Sequence, residues 1–161
     1  MSDGAILPVE MSPSEEIKYS RATPGDLQAV RTLLRSCDLP IEDLTPEHLE
    51  HFVLCHDGQR LVGSGGLEVV SEEAALLRSL AVAPEDRARG LGRELWSRAR
   101  DLARALAVRR LYLLTTTAES FFRKWGFRRV IRDAAPEGIR ATVEFSSLCP
   151  ATAVVMVLDI E

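Results

Sequence analysis

At 161 residues, 46% of them hydrophobic and 27% charged, the chain has material for one domain with a full core. A net charge of −4 excludes a general pull toward nucleic acid or anionic lipid, and no apolar run reaches the length that crosses a bilayer. Cys37, Cys55 and Cys149 are scattered without metal-ligand spacing, and no basic segment leads into an apolar one near the N-terminus, so free thiols in a reducing cytoplasm are expected.

Residues 1–16 are small, acidic and proline-containing, without periodicity, and are expected to form a mobile tail ahead of a domain at 17–161. Ile17 to Arg21 alternates as a first strand. Thr23-Pro24-Gly25-Asp26 is a helix start, with a capping threonine, proline in the first turn and an acid behind it. Leu27, Val30, Leu33 and Leu34 give that helix an apolar face as far as Ser36. Thr45-Pro46-Glu47 opens a shorter helix to about Glu50. His51 to Cys55 and Gln59 to Val70 read as strands joined by a turn at Asp57-Gly58, and Ala75 to Val82 as the next strand. Leu91, Leu95, Ala99, Leu102, Ala103 and Leu106 recur at helical spacing. Arg110 to Leu114 is a compact apolar strand, Ala118 to Trp125 a helix ended by Gly126, and Phe127 to Ile131 and Ala153 to Leu158 the last strands. His48, His51 and His56 lack the spacing of a metal site, and no metal is expected.

The stretch from Leu76 to Arg104 organises the rest. A strand runs through a loop with Arg87, Arg89 and Arg93 into an amphipathic helix, and Gly90 and Gly92 stand at the junction. The first turn of a helix offers unbonded N–H groups and the positive end of the helix dipole, so this junction suits an anion such as a diphosphate. Leu95 stands where a dinucleotide loop would need its third glycine, and no Gly-Lys-Ser or Gly-Lys-Thr triplet marks a triphosphate loop. A glycine turn opening a helix with a solvated arginine face is the plain alternative.

The spacing Arg87-x-x-Gly90-x-Gly92, with the order of elements around it and the Trp125-Gly126-Phe127 helix end, resembles the GNAT superfamily of N-acetyltransferases. The segment Leu113 to Thr117 (LLTTT) with Phe121-Phe122 is similar to the N-acetylglutamate synthase acetyltransferase domain and to the arsenic-resistance-associated N-acetyltransferases. The stretches from Ile139 to Phe145 and Leu148-Cys149-Pro150 favour the latter branch. The resemblance implies an α/β (α+β) GNAT fold, a mixed central sheet of about seven strands flanked by about four helices. It also implies acetyl-CoA as co-substrate.

On that resemblance the diphosphate rests on the main chain of Arg87, Ala88, Arg89, Gly90, Leu91, Gly92 and Arg93, and the pantetheine arm pairs with Leu80, Ala81 and Val82 as an added strand would. The N–H of Leu80 is then the donor to the reacting carbonyl oxygen. Glu68 is the first candidate base and Glu144 the second. Phe122 occupies the position where many of these enzymes carry a tyrosine as acid, so Thr115 is a weak substitute for that role and Phe122 is expected against the cofactor arm. Arg78, mid-strand in LLRSLAV, and Arg140 are the candidates for an acceptor carboxylate, with Ser79 alternating to the other face. Direct attack in a ternary complex is expected, since no cysteine lies in the cradle region. The acceptor would be a small amino acid or similar amine, glutamate and amino-acid-like arsenicals among them; a protein terminus or lysine suits a cleft arginine less well. A module that holds acyl-CoA as a sensor without turnover is the alternative of another class. Trp96 and the last strand are left as surfaces for a homodimer.

Overall fold

The computed structural model describes residues 16–160; the expected tail, apart from Glu16, lies outside the described residues. The strands are β1 (Ile17–Arg21), β2 (Phe52–Asp57), β3 (Arg60–Val69), β4 (Ala74–Val82), β5 (Arg110–Thr115), β6 (Arg128–Val130) and β7 (Val154–Asp159). They form one seven-stranded mixed sheet in the order β1-β2-β3-β4-β5-β7-β6. Only β4 and β5 run parallel; the other neighbours are antiparallel. The helices are α1 (Leu27–Ser36), α2 (Leu91–Ala105), α3 (Glu119–Lys124) and the single turn α4 (Glu137–Arg140). The proline-led starts at Pro24–Asp26 and Pro46–His51 are 3-10 turns, each closed by a reciprocal capping box from the threonine in front.

Alternation along the strands sends apolar side chains to both faces, and each face has its own cover. Ala75, Leu77 and Leu111 of the sheet pack with Trp96, Ala99 and Ala103 of α2 on one side. Ala74, Leu76, Tyr112 and Val155 pack with Ile139 of α4 and Phe145 on the other. α1 covers the β2 end of that second face through Val30 and Leu34. Burial of a large apolar side chain contributes about 1.5–3 kcal/mol, so the α2 stripe alone is a major stabilising contact. Trp96 is 3% exposed and stacks on Trp125 at 5.5 Å. It belongs to the core, and β7 lies inside the sheet between β5 and β6, so neither is available as the dimer surface expected from the sequence.

Two irregularities position the site. Parallel pairing of β4 with β5 covers only Ala74 to Leu76 against Arg110 to Tyr112, after which the two strands part. Along β3 and β4, Ser64 faces Ala81 while Gly66 faces Arg78, so Ser79 and Leu80 together oppose Gly65. This is a β-bulge with its extra residue on β4, and Ser79 takes a left-handed φ of 58° within it. The Ser64 hydroxyl donates to the Ser79 carbonyl at 2.7 Å and pins the bulge.

Candidate active site

Where β4 and β5 diverge, a cleft of about 1180 Å³ opens between them. Its walls come from β4 (Leu77 to Val82), the loop into α2, the end of β5 with Thr115 and Thr116, the α3 residues Phe121 and Phe122, the loop after α1, and the Glu144 to Pro150 region. The Ala83 amide donates to the Val62 carbonyl, so residue 83 faces β3 and, by alternation, the main-chain groups of Val82 and Leu80 face the open side. Among the described residues no strand pairs with that edge, which looks into a cleft, the arrangement that accepts an extended, amide-bearing ligand.

At the cleft's other end stands the N-terminus of α2. Gly90 caps it with φ 80°, a conformation that a side chain would strain, and no side chain caps the helix. The first amides of α2 therefore point out unfilled. A Cβ at Gly92 would meet only Val82 Cγ2 at 3.7 Å, an ordinary contact, so the fold itself leaves room there for a ligand. Arg87, Ala88, Leu91 and Arg93 line the same space. Arg87 is partly engaged: its Nε donates to the Val82 carbonyl at 3.0 Å. Arg89 departs from the expected cluster, because its guanidinium turns to Asp86 (2.7 Å) and Asp57 (3.3 Å) and contributes structure, not charge, to the cleft. Asp86 is 3% exposed and also holds Arg60 at 2.8 Å, so it ties the loop to the β2–β3 hairpin. The group of orphan amides, room for phosphate and nearby cations fits the diphosphate of coenzyme A.

Arg78 is not free to receive a ligand carboxylate, and the expectation from its mid-strand position is revised. Its side chain is fully enclosed. Nη1 and Nη2 donate to Asp43 at 2.5 and 2.8 Å, Nη1 also to Glu68 at 3.0 Å, Nε to Ser79 Oγ at 3.2 Å, and Glu144 lies 3.4 Å from Nη2. The bulge breaks the alternation, so Arg78 and Ser79 meet instead of facing opposite ways. Burial alone would lower the arginine's pKa, but its carboxylate partners outweigh that and raise it above the ordinary value. The same contacts hold Asp43 below the usual carboxylate range against its own burial.

Glu68 sits beside this cage and not on the cleft wall: it accepts from Arg78 and faces His48 Nε2 at 3.8 Å. His48 Nδ1 accepts the Thr45 N–H at 3.1 Å, which leaves the ring proton on Nε2. Asp43, His48 and Glu68 bring ligand-type atoms within 4.8 Å of one another, a grouping that the histidine spacing did not show, but both Asp43 oxygens are taken by Arg78. Of the three carboxylates around Arg78, Glu144 is the one that lines the cleft. It lies on a π-helical turn, Glu144–Leu148, not on a strand, and is 5% exposed. Burial pushes its carboxyl up to about 7 against the pull of Arg78, with the like charges of Asp43 and Glu68 adding to the rise.

Thr115 lines the cleft, and its Oγ1 accepts the Ala118 N–H at 2.9 Å, which leaves the hydroxyl proton to donate elsewhere. Phe122 packs edge-on against Trp125 and Phe127 with part of its ring on the cleft. Arg140 is absent from the cleft wall; its Nε donates to the Ala135 carbonyl, ahead of α4, at 3.0 Å. Two cysteines do reach the cleft, contrary to the sequence expectation. Cys37 touches the Val82 carbonyl and Arg87 at the cradle, and Cys149 follows the π-turn, where burial and the charge of Glu144 push its thiol up to about 11.

The family described as an acetyltransferase (GNAT) domain matches residues 47–129, more than half of the chain, and the chain belongs to that family. The amino-acid acetyltransferase of Neisseria meningitidis is 29% identical over 133 residues, covering 75% of this chain and 29% of that protein. The amino-acid acetyltransferase of Mycobacterium tuberculosis is 32% identical over 91 residues, covering 56% of this chain and 48% of that one. The chain thus spans 29% and 48% of the lengths of these two relatives. Among solved structures, the N-acetylglutamate synthase of Neisseria gonorrhoeae complexed with coenzyme A and L-arginine superposes with a TM-score of 0.76 at 22% identity, covering 90% of this chain and 33% of that one. Rv2747 from M. tuberculosis in complex with CoA and NLQ gives 0.74 at 22% identity, with 89% and 99% covered. These likenesses fix the fold: a GNAT domain with its sheet parted between β4 and β5.

Proposed function

We propose that this domain transfers the acetyl group of acetyl-CoA to the amino group of a small amino acid or amino-acid-like compound. One observation carries the reading: the open β4 edge and the uncapped start of α2 lie in a single cleft, an extended-chain edge beside an anion site. Charge-assisted hydrogen bonds contribute roughly 1.5–3 kcal/mol each, so a few at the helix start suffice for micromolar binding. The acceptor class is supported by the identity with amino-acid acetyltransferases. Within it, glutamate and an amino-acid-like arsenical are the acceptors to try first, the latter on the likeness of the segment from Ile139 to Pro150.

Direct attack in a ternary complex is the consistent mechanism. Cys149 is held as a thiol well above neutral pH, and Cys37 sits at the phosphate end, so neither is placed as a thiolate to take the acetyl group. The main chain of Leu80, exposed on the splayed edge, is the donor to the developing oxyanion, and Thr115 is the hydroxyl available to the leaving thiolate. A non-catalytic acyl-CoA-binding module remains the second reading, favoured by Phe122 in place of an acid. Calorimetry with CoA and a thiol-release assay over amino acids and arsenical analogues separate the two. Binding with turnover supports the enzyme; binding with no turnover on any acceptor supports the module; no binding removes both.

A further inference from the structure

The cleft holds one carboxylate whose surroundings make no sense for stability alone. Four elements converge on it: Arg78 from β4, Asp43 from the segment ahead of Pro46–His51, Glu68 from β3 and Cys149 from the strand-bound end of its own turn. Arg78 spends its strong hydrogen bonds on Asp43, Glu68 and Ser79. Among the described residues Glu144 has a 3.4 Å ion pair with Arg78 and no side-chain hydrogen-bond donor, and it faces the cleft. Three carboxylates around one guanidinium give the cluster an excess of negative charge. A proton on one carboxylate relieves that excess, and the least well bonded is the one that takes it. The backbone around Glu144 is held: its carbonyl accepts the Cys149 N–H at 2.9 Å, and at the next residue the Thr142 hydroxyl accepts the Phe145 N–H while Arg132 donates to the Phe145 carbonyl at 3.2 Å.

Building on the acetyl-transfer reading, we infer that Glu144 is the catalytic residue that accepts the proton of the acceptor amine, and that Arg78, Asp43 and Glu68 are positioning residues that arrange the charge around its carboxylate. The acceptor arrives as an ammonium ion, which an anionic Glu144 attracts. Glu144 takes one N–H proton, and the freed nitrogen pair forms the N–C bond to the thioester carbonyl. A second N–H proton is lost as the tetrahedral adduct collapses, and the C–S bond breaks with its electron pair on sulfur. One of these two protons ends on the coenzyme A thiolate and the other goes to water, so the products are the amide, the free thiol and one released proton. Glu144 is ionised and ready again. Its affinity near neutrality lets it both take and release the proton without a large uphill step. Glu68, hydrogen-bonded and off the cleft wall, lacks that access.

The test uses the full chain, acetyl-CoA and whichever amino acid gives thiol release. Glu144→Gln is expected to lower kcat by about 100-fold or more and leave CoA binding by calorimetry within about twofold. In the wild type, kcat falls on the acid side through about pH 7. In Glu144→Gln that limb disappears, and activity recovers only toward the amine's own, higher pKa. Glu144→Asp keeps a carboxylate and is expected to retain both the limb and part of the rate, which guards against a folding artefact. Glu68→Gln removes a like charge and is expected to move the limb to lower pH. Unchanged kcat and an unchanged acid limb in Glu144→Gln would overturn this assignment and leave acetyl transfer standing. CoA binding by wild type with no thiol release on any amino acid would overturn both.

Discussion

Replacing Glu144 by glutamine alters stability as well as chemistry, and the two effects have opposite signs. Glu144 titrates at about 7 in the folded protein against an ordinary 4.5. The folded state therefore binds its proton more tightly than the unfolded chain does. Stability conferred by the protonated group is fully present below about 4.5 and is lost as pH rises through about 7. Integrating between about pH 5 and pH 8 gives a loss of roughly 2–3 kcal/mol on this residue's account. Glutamine resembles the protonated carboxyl in shape and charge, and its oxygen still faces Arg78 Nη2. Urea unfolding of wild type and Glu144→Gln at both pH values isolates the term, since most other titrations cancel in the difference. The variant is expected to match wild type within about 1 kcal/mol at the lower pH and to exceed it by roughly 2–3 kcal/mol at the higher. Parallel pH profiles would mean that Glu144 titrates as an ordinary carboxylate, and the argument from crowded carboxylates would fail.

Arg78→Met leaves Asp43, Glu68 and Glu144 facing one another without a counter-charge, and is expected to cost about 3–5 kcal/mol in urea unfolding at neutral pH. A loss below about 1 kcal/mol would show that the cage is solvated. Gly92→Leu places a side chain where the fold has room and the diphosphate would lie, so Tm is expected to hold while CoA affinity drops about tenfold or more by calorimetry; undiminished affinity would move the phosphates elsewhere. Gly66→Ala drives a Cβ to 2.3 Å from the Phe52 ring, and is expected to destabilise by about 1–3 kcal/mol, read by thermal unfolding.

Much of the frame was legible because local rules and tertiary packing agree. The Asp57-Gly58 turn joins its strands with Gly58 at φ 63°, and the α2 stripe faces the sheet as its spacing implies. The segment from Arg132 to Leu148 was not legible. Its 3-10 turn, the single turn of α4 and the π-turn are too short to show a period, and they exist because Ile139 and Phe145 fill the second face of the sheet. The cage around Arg78 was hidden for another reason. Asp43 lies 35 residues from its partner, and nothing local ties the two.

The bulge shows how a signal can sit on the neighbouring strand. LLRSLAV carries no glycine or proline and reads as unbroken β4, so Ser79 is expected opposite Arg78. The mark is in β3, where Gly63, Ser64, Gly65 and Gly66 interrupt a strand with small residues. A side chain at Gly66 would collide with the ring of Phe52 on the neighbouring strand, and one at Gly63 with Leu95 of α2, so each glycine leaves room for a packed side chain. Between those glycines, the Ser64 hydroxyl donates to the Ser79 carbonyl and holds the extra residue in place. The extra residue brings Arg78 and Ser79 together and turns the Leu80 main chain toward the divergence from β5. Glycines that look like a weak strand therefore mark the bulge across the sheet: Gly65 lies opposite the extra residue, in the stretch where β4 has already parted from β5.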